Sequence, residues 1–235
     1  MKIISWNCNG GFRNKFHLLD DLGADILVIQ ECEDPSRSAE NYKNWAKNYL
    51  WVGDNKNRGL GVFCRPEYSL SSQDWSSEDL QMFLPCRVND EFNIVAVWTK
   101  MGNSKQQYIG QLWQYLQLHR TKVKNDICAF IGDFNSNSRW DKRGRIWNHT
   151  DVVRDLGEIG LVSGYHHVFN EEQGQETQPT FYLHRNLHKP YHIDFVFMPA
   201  SLLEKCATKF EVGNANQWLA SSDHLPIILS LLENG

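Results

Sequence analysis

Ile127-Cys128-Ala129-Phe130-Ile131-Gly132-Asp133-Phe134-Asn135 is the stretch on which the reading of this chain turns. An uninterrupted apolar run of five, too short for a helix, reads as a strand buried on both faces. It stops at a glycine and hands over at once to Asp133 and Asn135. The same arrangement recurs. Lys2–Trp6 runs into Asn7-Cys8-Asn9-Gly10, and Asp25–Ile29 runs into Gln30-Glu31. In two further places the order reverses: His192-Ile193-Asp194 opens the run Ile193–Met198, and Ser222-Asp223-His224 stands just before Ile227–Leu232. If all five polar groups meet at one edge, the last two strands must run antiparallel to the first three.

Gly61–Arg65 and Asn93–Thr99 read as further strands. Phe12, Phe16, Leu19 and Leu22 keep three-to-four spacing before Gly23 and predict an amphipathic helix. Ile109, Leu112, Trp113, Leu116 and His119 predict a second helix from about Ser104 to Lys122. Val153, Leu156 and Ile159 predict a third after Thr150. Helices interleaved with strands predict layered α/β sheets of mixed direction. The 235 residues, 41% hydrophobic and 12% aromatic, suffice for one sizeable domain spanning 1–235, with no repeat or linker to divide it.

The formal charge of −4 speaks against nucleic-acid binding by bulk charge. Setting aside Glu31, Asp133, Asp194 and Asp223 as candidate ligands and catalytic groups leaves 24 acids against 24 bases, so any attraction for a polyanion must be local. Six cysteines show neither CxxC nor zinc spacing and read as reduced, buried thiols. No leader or membrane-spanning run is visible, and a stand-alone cytoplasmic protein without an obligate protein partner is the expectation.

A lone Asn after a strand is usually a turn former, and a lone Asp usually caps a helix or loop. Five such coincidences at strand ends carry more weight together. Hard divalent cations such as Mg²⁺ take oxygen ligands from one or two carboxylates plus water and phosphate. Phosphoester hydrolysis needs a positioned water, a carboxylate to orient or deprotonate it, and donors for the phosphoryl oxygens. Glu31 offers a ligand, Asp133 a base, Asn7 and Asn135 amide donors, and Asp223-His224 a ligand beside a cationic group that Asp194 can orient.

Ile4-Ser5-Trp6-Asn7-Cys8-Asn9-Gly10, Ile29-Gln30-Glu31, Ile131-Gly132-Asp133-Phe134-Asn135, Ile193-Asp194-Phe195 and Ser222-Asp223-His224 together resemble the signature blocks of the endonuclease/exonuclease/phosphatase superfamily, in that family's order. The resemblance implies a four-layer α/β sandwich with two packed mixed β-sheets flanked by helices, and Mg²⁺ or Mn²⁺ as cofactor. It implies Glu31 as main metal ligand with Asn7 and Asn9 beside it, and Asp223 at a second metal position. It further implies Asp133 as the residue that activates water, Asn135 as a phosphate contact, and His224, oriented by Asp194, at the scissile phosphate.

One position departs. Where many members place a His or Tyr at a strand end, this chain has Trp98, whose indole is no proton donor of useful pKa. Leaving-group protonation then falls to metal-bound water, Thr99, Lys100 or an unaligned group. Two loops combine cations and rings: Arg139-Trp140 to Trp147 with Arg143, and Tyr182 to His192 with Arg185 and Tyr191. Such a mixture suits a nucleic-acid groove, and equally a solvated loop with an aromatic anchor. Arg13 and Lys15 extend the same basic patch. A metal-dependent DNA or RNA nuclease is therefore the leading reading. The alternatives are hydrolysis of a small phosphoester (nucleotide, inositol phosphate or phospholipid headgroup) and a non-catalytic binding module on the same scaffold.

Overall fold

Strands apolar on both faces have to be sandwiched between two layers, and this chain stacks them so. The computed structural model describes residues 1–101 and 106–232. The strands, in chain order, are β1 (Lys2–Asn7), β2 (Ile26–Cys32), β3 (Tyr49–Asn55), β4 (Arg58–Cys64), β5 (Leu70–Ser72), β6 (Phe83–Val88) and β7 (Phe92–Trp98). They continue with β8 (Cys128–Asp133), β9 (Leu161–Ser163), β10 (Phe181–Tyr182), β11 (Pro190–Tyr191), β12 (Asp194–Pro199), β13 (Ala207–Val212) and β14 (Ile227–Leu232). The helices are α1 (Glu40–Trp45), α2 (Ile109–Lys124), α3 (His149–Glu158), α4 (Gly164–Phe169), α5 (Ala200–Lys205) and α6 (Ala215–Trp218).

One six-stranded sheet has the order β13-β14-β1-β2-β4-β3 and the other β5-β6-β7-β8-β12-β9; β10 and β11 form a separate hairpin. Each large sheet has one parallel pair at its centre, β1 with β2 and β7 with β8, and antiparallel partners on both sides. The antiparallel direction expected for the strands carrying Asp194 and following His224 is therefore observed.

Alternation along the strands divides the core into three. Ile3, Val28 and Val62 from one sheet meet Ile94, Ile131 and Val196 from the other. Val95, Val97, Phe130 and Phe197 face outward, under Leu112 and Leu116 of α2 and Val152 and Leu156 of α3. On the far side Ile4, Trp6 and Ile29 are covered by Phe12, Leu19, Tyr42 and Trp218. The four-layer sandwich with two mixed sheets flanked by helices is what the packing produces.

Three expectations are corrected. Phe12 to Leu22 forms two 3₁₀ stretches, Phe12–Asn14 and Phe16–Leu22, instead of one α-helix. Phe16, Leu19 and Leu22 are spaced by three, the period that a 3₁₀ turn aligns on one row. Helix α2 starts at Ile109, and buries Tyr115 where Trp113 was expected; Ser104, the anticipated start, lies outside the described residues. Strand β2 continues past Ile29 to Cys32, so Glu31 sits within the sheet's edge.

Gly132 explains the glycine in the opening stretch. Its φ is +144°, and a Cβ there would stand 1.9 Å from the Val97 carbonyl oxygen of the adjoining strand. Only glycine lets β8 lie this close to β7, which puts Trp98 opposite Asp133 in register.

Candidate active site

Asn7 closes β1 and Asp133 closes β8, so one lies at the end of each sheet's central pair. The Asn7 Nδ2 donates to Asp133 Oδ2 at 3.0 Å and to Glu31 Oε1 at 3.3 Å, stitching the sheets together. Glu31 gets there by a bulge. The β2–β4 register shifts between Gln30 and Cys32, and Glu31 has φ 64°. A bulge re-aims one side chain without ending the strand, and the left-handed backbone costs on the order of 1 kcal/mol at a non-glycine residue.

Asn135 also has a left-handed backbone, φ 44°, which turns it back on its neighbour. Its backbone N–H donates to Asp133 Oδ1 at 2.8 Å and its Nδ2 to Oδ2 at 2.9 Å and to the Thr99 carbonyl at 2.9 Å. Asp194 opens β12 directly opposite Asp133 in the antiparallel register. Its Oδ2 accepts from Thr180 Oγ1 at 2.6 Å and lies 3.0 Å from His224 Nδ1. His224 Nε2 then stands 3.9 Å from Asp133 Oδ2. Ser222 fixes this last loop: its Oγ donates to the Asn7 carbonyl at 2.7 Å and accepts from the His224 N–H at 3.0 Å.

Asp133, Asp194 and His224 are all buried. Burial pushes the Asp133 carboxyl well above the usual carboxylate range; His224 pulls it back and Asp194 pushes it further up. Burial alone would lower the His224 imidazole, but Asp194, Asp133 and Asp223 outweigh it and hold the ring charged at neutral pH. Asp133, Asp194 and His224 offer ligand atoms within 4.8 Å of one another. A protonated imidazole has no lone pair for a cation, so this trio suits proton handling and phosphate contact better than metal ligation. The carboxylate oxygens of Glu31 and Asp133, which both accept from the Asn7 Nδ2, are hard donors of the kind that fits Mg²⁺ or Mn²⁺. Asp223 is half-buried and contributes its charge next to His224.

Asn9, with φ 52°, donates its backbone N–H to Asn7 Oδ1 at 3.0 Å and thereby orients that amide. Trp98 is buried, with Arg58 and Lys100 cations 5.6 and 5.4 Å from its ring. Arg139 donates Nε to the Gly174 carbonyl at 2.6 Å. Together with Asn137, Glu176, Tyr191 and His192 it lines a cavity of about 210 Å³. Trp140, exposed, packs on Tyr191 at 5.1 Å between ring centroids. Arg143 is exposed, and Arg185 donates to the Ala220 carbonyl at 3.2 Å. Arg13 and Lys15 are occupied internally: Arg13 pairs with Glu33, and Lys15 Nζ donates to the carbonyls of Cys8, Gly10 and Ser221, each at 2.7 Å. Lys15 thereby ties the loop after β1 to the loop before His224, while the Arg13 side chain stays largely exposed.

Arg58 and Thr180 escaped the sequence reading. Arg58 Nη2 pairs with Glu31 Oε2, the carboxylate oxygen that Asn7 leaves open. Thr180 supports Asp194 and accepts the N–H groups of Ile193 and Asp194 at 3.0 and 3.1 Å. Neither stands in a strand-end motif, so spacing gave no signal for them.

Two mixed sheets with a buried carboxylate, amide and imidazole cluster between their central strand ends define a class of α/β sandwich hydrolase-like folds. The chain belongs to the endonuclease/exonuclease/phosphatase family, whose model matches residues 4–224. Its fold is similar to that of a 3′-5′ exonuclease, NExo, from Neisseria meningitidis, with a TM-score of 0.71 at 18% identity, covering 99% of this chain and 100% of that one. The 3′ phosphatase NExo from Neisseria bound to a product DNA hairpin gives 0.71 at 17% identity, covering 98% and 99%. An AP endonuclease from Archaeoglobus fulgidus gives 0.70 at 19%, covering 98% and 99%. At these identities the likeness concerns the fold. No curated protein sequence matches the chain significantly.

Proposed function

We propose that this chain is a divalent-metal-dependent hydrolase of phosphodiester bonds in DNA or RNA. The observation that carries the reading is the connected series Arg58–Glu31–Asn7–Asp133–His224–Asp194, in which each group touches or faces the next. A cation flanks the carboxylate at each end of the central Glu31–Asn7–Asp133 stretch, Arg58 beside Glu31 and His224 beside Asp133, and the neutral amide of Asn7 separates the two anions.

Glu31, with Asn7 beside it, would hold Mg²⁺ or Mn²⁺, which when bound supplies Lewis acidity at the phosphoryl oxygens. The remaining roles belong to the chain. Asp133, made more basic by burial, accepts the proton of the attacking water. Asn7 and Asn135 hold both of its carboxylate oxygens in place. His224, kept cationic by Asp194, donates Nε2–H to a phosphoryl oxygen as negative charge builds there. Arg139, Trp140 and Tyr191 supply a cation and two rings beside this centre, which suits the sugar–phosphate and base of an adjoining nucleotide. The solved neighbours named above as nuclease and DNA-bound phosphatase support a nucleic-acid substrate.

The test is turnover with Mg²⁺ or Mn²⁺ on plasmid, single-stranded DNA, abasic duplex and RNA, beside small phosphomonoesters. The expected result is cleavage of nucleic acid abolished by EDTA and reduced about 10²–10⁴-fold by Asp133→Asn, the range of a lost general base. Turnover confined to small phosphoesters would replace the nuclease reading. Cleavage indifferent to both EDTA and Asp133→Asn would end it.

A further inference from the structure

Arg58 begins β4 at the tip of the β3–β4 hairpin, facing Asn55 across the turn. Two contacts latch this tip over the end of β7. Asp54 holds Lys100 Nζ at 2.6 Å, and the Lys100 and Arg58 cations lie against the indole of Trp98. Register places Trp98 beside Asp133, so Arg58 is delivered to the strand ends that form the catalytic cluster. There it pairs with Glu31, yet 54% of its side chain stays exposed, so the guanidinium is reachable from solvent. Glu31 engages one of its nitrogens, and a guanidinium has five N–H donors.

The order of groups gives this cation a direction. Asp133 and His224 form one end of the series, and Glu31 with Arg58 the other, with the Asn7 amide between them. In-line displacement at phosphorus puts the entering and departing oxygens on opposite faces. If water enters from Asp133, the departing oxygen leaves toward Glu31 and Arg58. Trp98, at that end, cannot supply a proton.

Resting on the hydrolase reading above, we infer that Arg58 is a catalytic residue that neutralises the charge on the departing oxygen. The new P–O bond forms from water as the old one breaks. Asp133 takes the water proton, the departing alkoxide forms beside the guanidinium, and it collects its own proton from solvent. Arg58 transfers no proton and acts only as a hydrogen-bonding cation. Charge stabilisation replaces acid catalysis at the leaving group.

The experiment compares an oligonucleotide with the same oligonucleotide carrying sulfur at the bridging leaving position, identified from the wild-type product ends. Thiolate departs with less need of charge stabilisation. Arg58→Ala is expected to lower kcat/KM about 10²–10³-fold on the oxygen ester and less than about 10-fold on the sulfur ester, with Arg58→Lys between. Mn²⁺ affinity of the variant, measured by calorimetry, should hold or tighten, because a competing cation has left Glu31. Equal losses on both esters, no loss on either, or weakened Mn²⁺ binding would overturn the inference. The hydrolase reading survives any of those results, provided that the wild type cleaves the oxygen ester. A wild type inactive on it removes both.

Discussion

Thr180 does three jobs with one hydroxyl. It donates to Asp194 and accepts the backbone N–H groups of Ile193 and Asp194, all in a buried place. Thr180→Val keeps the shape but strips two buried donors of their acceptor, at about 1–3 kcal/mol each. The variant is expected to lose on the order of 2–4 kcal/mol in denaturant unfolding, whereas Thr180→Ser retains most of the stability. Equal stability of Val and Ser variants would show that the hydroxyl is idle. The strand-end residues Asn7, Asp133 and Asp194 were legible because each follows or opens an apolar run, and the backbone carries its side chain to the edge. Thr180 was not, since its partner Asp194 lies 14 residues away across the turn joining β10 and β11. Arg58 was missed for a similar reason. It meets Glu31 through the pairing of β4 with β2, a contact 27 residues long.

At the scale of elements, the strands found from sequence are those packed on both faces. Those missed are edge strands or short ones, with the exception of the internal β6, whose apolar run is broken by Pro85 and Arg87: β13 buries mainly Phe210, and β5 presents mostly exposed residues. Their alternation is weak because one face meets water or because three residues are too few to show a period. The segment between α4 and β10 has no regular structure and is held by side chains. Glu171 accepts from Thr177, and Glu176 accepts from the Gly174 N–H at 2.8 Å and Asn137 Nδ2 at 3.1 Å, with His166 Nε2 at 3.3 Å. Burial alone would raise the Glu176 pKa, but these bonds outweigh it and hold it down at about 2. A depressed folded pKa contributes stability that is complete above the unfolded value of 4.5 and is lost as pH falls through about 2. Glu176→Gln is therefore expected to cost on the order of 2–3 kcal/mol at pH 7. Urea titrations across pH should show the gap to wild type closing between those two values. A gap independent of pH would place the effect in packing.

At the scale of the molecule, the chain carries a net −4 and still presents cations around the candidate site, including Arg58, Arg139 and Arg185. Attraction to a polyanion is thus local, and few counterions should be released. Binding of a nucleic acid by a cleavage-deficient variant is expected to follow log[salt] with a slope of about −2 to −3, from roughly three phosphate contacts. A slope steeper than about −6 would reveal a long basic groove that the local picture denies. The pairing of β1 with β14 has its own result for how the molecule comes into being. Lys2 faces Ser230, and the Met1 amine bonds the Leu231 carbonyl, so a central strand waits for a partner more than 220 residues downstream. Such non-local closure slows folding, with milliseconds to seconds typical of high contact order. His224 and the loop that seats it arrive with that last strand. Completion of the sheet and the seating of His224 beside Asp194 are therefore one event.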